Sequence, residues 1–372
     1  MNGRRLSGTD LTEEWLAHQL RKAVNAPSHH QLVSCSHERI GEGQGFLSWL
    51  LKCRLQWQPP HPGLPERCIL YHILREEDLI PLPRCWFSRD ISSTESGVLA
   101  LEDLTAKNCC VVSMADGYRL AQALDVVGHL ARLHAWCFTH SQWQGKFQTQ
   151  PEEAFKEFPA VVDGIQTEDE VKVELVQGKL KQLSWIFEPA YYHEIITSGA
   201  QRVGLPPVIV HGDLWSNNLL FSRAEGEENG ASDQLLAFID WQVAHEGNLA
   251  EDIARLLCTS TVSAVRRTQL GPILSHYYQQ LCQAMPEGQS APLSKAELWR
   301  AYVDILPYAT SFFIFGVPIM SKTPQIMGEG EVLERRRSEL IERSRDLLDE
   351  LLLIYPDGPE SLQKPPFPPN YL

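Results

Sequence analysis

The sequence predicts an α+β protein of two lobes, a small β-rich N-terminal lobe and a large helical C-terminal lobe. Three observations predict it. Short apolar runs broken by turn residues crowd residues 40–104. Helical periodicity dominates from residue 120 onward. Inside that helical half lies one hairpin-like pattern, flanked by His211-Gly212-Asp213-Leu214-Trp215-Ser216-Asn217-Asn218 on one side and Ile239-Asp240-Trp241 on the other. The expected boundaries are an N-terminal lobe at 1–104, a C-terminal lobe at 105–355 and a proline-rich tail at 356–372.

Residues 9–24 read as a helix, with Asp10 and Glu13 as a capping box and Leu16, Leu20 and Val24 at four-residue spacing. Gly41, Gly43 and Gly45 follow in Ile40-Gly41-Glu42-Gly43-Gln44-Gly45-Phe46, a turn between strands whose backbone N–H groups can approach phosphates closely. A plain hairpin is the competing reading of those glycines. The apolar stretch 47–55 with Trp57 continues the sheet, 58–66 is a proline-rich turn and 68–74 is a third strand. Trp86-Phe87 and residues 98–101 are further strands, the latter running into Glu102-Asp103-Leu104. Residues 120–138 form an amphipathic helix with Leu124, Val127, Leu130, Ala131 and His134 along one side, His134 being a packing or hydrogen-bonding residue. Residues 152–198 are largely helical, and 168–170 is an acidic solvated run. Helices are expected over 251–257, 270–284 and 331–355.

The two acidic centres carry the chemistry. Phosphoryl transfer needs positioning and charge neutralisation more than covalent work by the protein. Asp213 is placed to orient a hydroxyl and accept its proton. Asn218 and Asp240 are oxygen donors suited to magnesium. The runs 219–221 and 235–239 are read as strands joined by the polar segment 222–234, which returns the chain from Asn218 to Asp240 as a hairpin. Taken singly, each of these residues reads as a turn or cap; their order and spacing carry the assignment.

Composition excludes several classes. The net charge of −14 leaves no basic excess for nucleic acid and disfavours an anionic membrane surface. No run is expected to cross a membrane, and the polar N-terminus lacks an apolar signal core. Nine cysteines without a Cys-x-x-Cys pattern point to free thiols in a reducing compartment, hence a cytoplasmic protein. The expected partner is a small-molecule alcohol; oligomeric state is open. Trp299, Tyr302, Tyr308, Phe312, Phe313 and Phe315 are candidates for an apolar pocket or for core packing.

These motifs resemble the ecdysteroid kinase-like (CHK kinase-like) proteins of the choline kinase and aminoglycoside phosphotransferase superfamily. The resemblance implies a protein-kinase-like fold using ATP and Mg2+, with Gly43-Gln44-Gly45-Phe46-Leu47-Ser48 as phosphate loop and Ser48 among its contacts. Leu99-Ala100-Leu101-Glu102-Asp103-Leu104 is similar to the hinge, where the backbone from Glu102 to Leu104 would meet adenine. Leu130-Ala131-Arg132-Leu133-His134-Ala135 matches the helix that follows. Asp213 falls in the base position, Asn218 and Asp240 in the metal positions, and Asp252 where the family has an aspartate read as structural. Two departures stand out. The third strand, Cys68-Ile69-Leu70-Tyr71-His72-Ile73-Leu74, lacks the family's lysine, and residues 75–80 are too few for the helix that should follow. Lys52 and Arg75 are the candidates for a substitute cation, with a solvent-facing strand residue as the competing reading of Lys52. An active kinase, a non-catalytic nucleotide-binding protein and a shortened isoform all remain as readings.

Overall fold

The computed structural model describes residues 5–6, 11–40, 50–62, 64, 67–69, 80–89, 98–147, 178–226 and 230–359. The chain divides into two compact units. The smaller holds Met1–Asp78, Leu82–Cys109 and Phe238–Gln242; the larger holds Leu79–Pro81, Cys110–Ala237 and Val243–Leu372.

The smaller unit is built on a sheet of order β1–β2–β3–β5–β4, with β1 Gln31–Ile40, β2 Leu50–Gln58, β3 Arg67–Ile69, β4 Cys85–Arg89 and β5 Val98–Glu102. Every neighbouring pair is antiparallel. Helix α1, Glu13–Ala23, buries Leu16, Ala17 and Leu20 in a core with Cys53, Leu55, Trp57 and Ala100. It begins later than its sequence pattern suggests. The cap is Thr12, whose Oγ1 accepts the Trp15 N–H at 3.2 Å, and Asp10 lies outside the described residues. Strand β1 was hidden in the sequence because, of its residues 31–37, only Cys35 is buried, so no alternating apolar pattern marks it.

The larger unit is helical. Its α2, Leu120–Thr139, buries a face wider than the predicted stripe: Ala123, Val126, Val127, Leu130, Ala131 and Leu133 are enclosed, while Leu124 is half-buried. His134 is enclosed there too, its Nδ1 2.6 Å from the Tyr277 hydroxyl, and burial pushes its pKa down to about 3 against an opposing backbone contact with Ile209. Helices α3, Lys179–Gln182, and α4, Pro189–Val203, follow; 148–177 lie outside the described residues. Strand β7, Val208–Val210, pairs antiparallel with β10, His245–Gly247, and β8, Leu219–Arg223, pairs with β9, Ala231–Phe238. The predicted hairpin is therefore present, with longer strands than the apolar runs alone implied. Cys110, in the short strand β6 Cys109–Cys110, lies on the other side of β8.

Four further helices are α5 Glu251–Ser260, α6 Ser263–Ala284, α7 Lys295–Met320 and the long α9 Gly330–Ile354, with the short α8 Pro324–Met327 between the last two. The expectation that no run could span a membrane needs correction. Helix α7 is long and apolar enough by length and composition, and 67% of its apolar window is buried inside the protein. Its length escaped the reading because Pro307 and Pro318 sit inside it. Trp299, Tyr302, Tyr308 and Phe313 on α7 are core residues; Phe312 and Phe315 are only half-buried.

Candidate functional site

The loop after β7 is shaped by one residue without a side chain. Gly212 has φ +81°, and a Cβ there would stand 2.7 Å from the Val243 carbonyl oxygen and 3.1 Å from His245 Nδ1. Only glycine fits. The loop is then tied to one helix along its length. Asp252 Oδ2 accepts the His211 N–H at 2.7 Å, and its Oδ1 accepts the Gly212 N–H at 3.1 Å. Arg255 Nη2 donates to Asp213 Oδ1 at 2.7 Å. Ser260 Oγ accepts the Ser216 N–H at 2.8 Å. Loop positions 211 to 216 are thus matched by successive turns of α5, and Asp252 is a splint for the loop, as the resemblance implied.

Asp213 is held from both sides. Asn218 Nδ2 donates to its Oδ2 at 3.1 Å and to its carbonyl oxygen at 2.8 Å. The amide nitrogen of Asn218 is committed to Asp213, so its Oδ1 is the atom left to accept or to ligate. Asp213 keeps 29% of its side chain exposed, whereas Arg255 behind it keeps 7%. The guanidinium also lies 3.4 Å from the centroid of the Phe312 ring. Sequence reasoning missed Arg255. The available signal was an arginine inside Ile253-Ala254-Arg255-Leu256-Leu257-Cys258, where a charge surrounded by apolar neighbours demands a partner.

Beneath the loop, His245 Nδ1 lies 3.0 Å from the Val243 carbonyl and Nε2 lies 3.2 Å from Glu251 Oε2. Both partners are acceptors, so the imidazole carries both protons. Burial opposes that charge, but the Glu251 carboxylate overrides it and the pKa rises to about 9. Asp252 is pushed up to about 7, by burial first and Glu251 second, with the two loop N–H groups pulling the other way.

Asp240 belongs to the smaller unit. It adopts φ +65°, a left-handed conformation uncommon for a residue with a side chain. Its Oδ1 is buried with no hydrogen-bond partner among the described residues, and burial raises its pKa to about 6. Asp240 Oδ1, without a donor among the described residues, and the amide oxygen of Asn218 are each hard oxygen atoms of the kind magnesium takes as ligands.

The remaining predicted residues lie in the smaller unit. Glu102 ends β5, accepts the Arg84 N–H at 3.3 Å and pairs with Lys107 at 2.9 Å. Asp103 Oδ1 caps the following 3-10 turn, Leu104–Lys107, through the Thr105 N–H at 2.9 Å, and Leu104 is buried. Lys52 stands in β2 opposite Glu38 and Ile69, with only its backbone described. Gly41, Gly43, Gly45 and Ser48 lie outside the described residues, as do Tyr71, His72 and Arg75.

Comparison with known proteins gives the chain's family and fold. The DUF1679 family, described as "Uncharacterized oxidoreductase dhs-27", matches residues 68–357. The chain belongs to the DUF1679 family. It is similar to the Caenorhabditis elegans protein named "Uncharacterized oxidoreductase dhs-27", 24% identical over 63% of this chain but only 29% of that protein's length. The chain thus spans under a third of that relative. A second C. elegans relative, "Uncharacterized kinase-like protein D1044.1", is 22% identical over 73% of this chain and 70% of its own length. Among solved structures, choline kinase from Cryptosporidium parvum is similar at TM-score 0.51 and 12% identity, covering 91% of this chain and 97% of that one. This DUF1679 chain therefore has the choline-kinase-like fold, with a small β-rich part and a large helical part.

Proposed function

We propose that the protein transfers the γ-phosphoryl group of ATP to the hydroxyl of a small molecule. The observation that carries this reading is the Asp213 carboxylate, partly exposed and fixed by Asn218 and Arg255 on a loop splinted to α5. Asp213 aligns the acceptor hydroxyl and takes its proton while the oxygen bonds to phosphorus and ADP leaves. Asn218 and Asp240 would hold magnesium, which supplies charge neutralisation on the phosphate oxygens. Gly41, Gly43, Gly45 and Ser48 would cover the phosphates, the backbone from Glu102 to Leu104 would receive adenine, and Lys52 is the substitute cation. An ecdysteroid kinase-like role, with a steroid-like or other lipophilic alcohol as acceptor, is the finer form of the proposal. The free thiols at the eight cysteines whose side chains are described accord with a reducing, cytoplasmic setting.

The test is Asp213→Asn. The expected outcome is loss of phosphorylated product, read by mass, with Mg-ATP binding retained by calorimetry; full turnover in that variant would remove the assignment. One observation favours a second reading, a nucleotide-binding protein without turnover: residues 68–74 contain no lysine. It predicts an Mg-ATP thermal shift in the wild type and no phosphorylated alcohol.

A further inference from the structure

Arg255 has no place in the motifs that led to Asp213, Asn218 and Asp240, yet it is the side chain most closely engaged with Asp213. It is 6% exposed, donates to Asp213 Oδ1 at 2.7 Å and stacks 3.4 Å from the Phe312 ring centroid. Phe312, half-buried, is flanked by Tyr192 and Tyr308, whose ring centroids lie 5.5 and 5.0 Å away. Arg255 Nε and Nη1 are buried with no hydrogen-bond partner among the described residues. We propose that Arg255 is the positioning residue of Asp213 and the fixed cation of the acceptor subsite, so that the alcohol received at Asp213 carries no positive charge. This inference rests on the phosphotransferase reading and deepens it by naming the charge class of the acceptor.

Three physical points support it. An ammonium group is recognised by a carboxylate oxygen or by the face of an aromatic ring. Here Asp213 Oδ1 and the Phe312 ring both already hold the protein's own guanidinium. A second cation brought to Asp213 would sit within a few ångströms of Arg255 in a partly desolvated site, where like charges repel strongly. Finally, Arg255 is fixed and buried behind Asp213 with one carboxylate oxygen as its hydrogen-bond partner, so its charge is a permanent part of the site, which an uncharged or anionic ligand tolerates and an ammonium does not.

The experiment separates a small-molecule extract by ion exchange into cationic, neutral and anionic pools, the cationic pool being supplemented with choline and ethanolamine. The purified full chain receives each pool with magnesium and ATP carrying a radioactive γ-phosphate. Label is expected in the neutral or anionic pool, with the cationic pool labelled at least ~100-fold more slowly. Preferential labelling of the cationic pool overturns the inference and leaves the phosphotransferase reading standing. Absence of label in every pool overturns that reading and the inference with it.

Variants then distinguish positioning from support of the fold. Arg255→Gln, folded by circular dichroism, should lower kcat on the labelled pool about 100-fold with KM for Mg-ATP unchanged, and should relax the discrimination against choline. Arg255→Lys keeps the charge without the planar fork, so it should retain the discrimination and recover part of kcat. If Arg255→Gln does not fold, the lysine variant alone decides: wild-type kcat in it, or turnover of choline, overturns the role. Wild-type kcat in a folded Arg255→Gln does the same.

Discussion

Gly212 and His245 meet at the loop after β7, and each carries a constraint that a single substitution exposes. Adding a methyl at residue 212 places carbon 2.7 Å from a backbone oxygen at a positive φ. Neither the backbone nor the oxygen can yield cheaply, so Gly212→Ala should destabilise the larger unit by roughly 2–4 kcal/mol, read by denaturant midpoint. His245 makes a pH-dependent contribution. Its folded pKa of about 9 lies above the ordinary 6.5, so proton binding favours the folded chain. That stability is fully present below pH 6.5 and is lost as pH rises through 9. The expected loss is on the order of 3 kcal/mol, measured by denaturation at both ends of the window. Asp252 titrates in the folded chain at about 7. A raised carboxyl pKa favours the protonated form, so its contribution declines between the ordinary carboxylate range and pH 7 and is constant above that. His245→Gln should therefore flatten the alkaline slope specifically.

At the scale of elements, charged side chains lock the apolar helices in place. Asp304 sits in the middle of α7 with 1% of its side chain exposed, and Arg202 of α4 reaches it at 3.1 Å. Burial pushes the Asp304 carboxyl up while Arg202 pulls it down. Arg202→Met leaves a buried carboxylate without its cation and should cost about 3 kcal/mol. Arg202→Met with Asp304→Leu should recover most of that, and a double-mutant cycle by denaturant unfolding reads the coupling. Arg343 of α9 works similarly, donating to the carbonyl oxygens of Met114 at 3.1 Å and Thr259 at 2.9 Å from a fully buried position. These pairings explain what the sequence could and could not show. Helix α2 and the β8–β9 hairpin announce themselves because their periodicity is a property of consecutive residues. Strand β1 does not, since its partners and burial come from elsewhere in the chain. Arg255 was illegible for the same reason: its meaning lies in Asp213, which is distant in sequence and 2.7 Å away in space.

For the whole molecule, the charge balance bears directly on nucleotide binding. The chain carries 47 acidic and 33 basic residues, a net charge of −14, and ATP is itself a polyanion. Long-range electrostatics therefore oppose their encounter. The side chains proposed for catalysis and metal binding include two carboxylates, Asp213 and Asp240, and Asp213 is already paired with Arg255. Two oxygen atoms are left as metal-ligand candidates, Asn218 Oδ1 in the larger unit and Asp240 Oδ1 in the smaller. Oxygen atoms do not attract phosphate unless a cation stands between them. Nucleotide binding should then be conditional on divalent metal rather than merely improved by it. At about 100 times its Kd, Mg-ATP should stabilise the chain by about 2.7 kcal/mol, whereas ATP with excess chelator should leave the melting temperature where it was. Asp240→Asn should reduce the magnesium requirement's steepness along with affinity, and Asn218→Ala should do so while also freeing Asp213. A metal-independent shift of the same size would place the phosphates on basic residues instead and remove Asn218 and Asp240 from the role proposed for them.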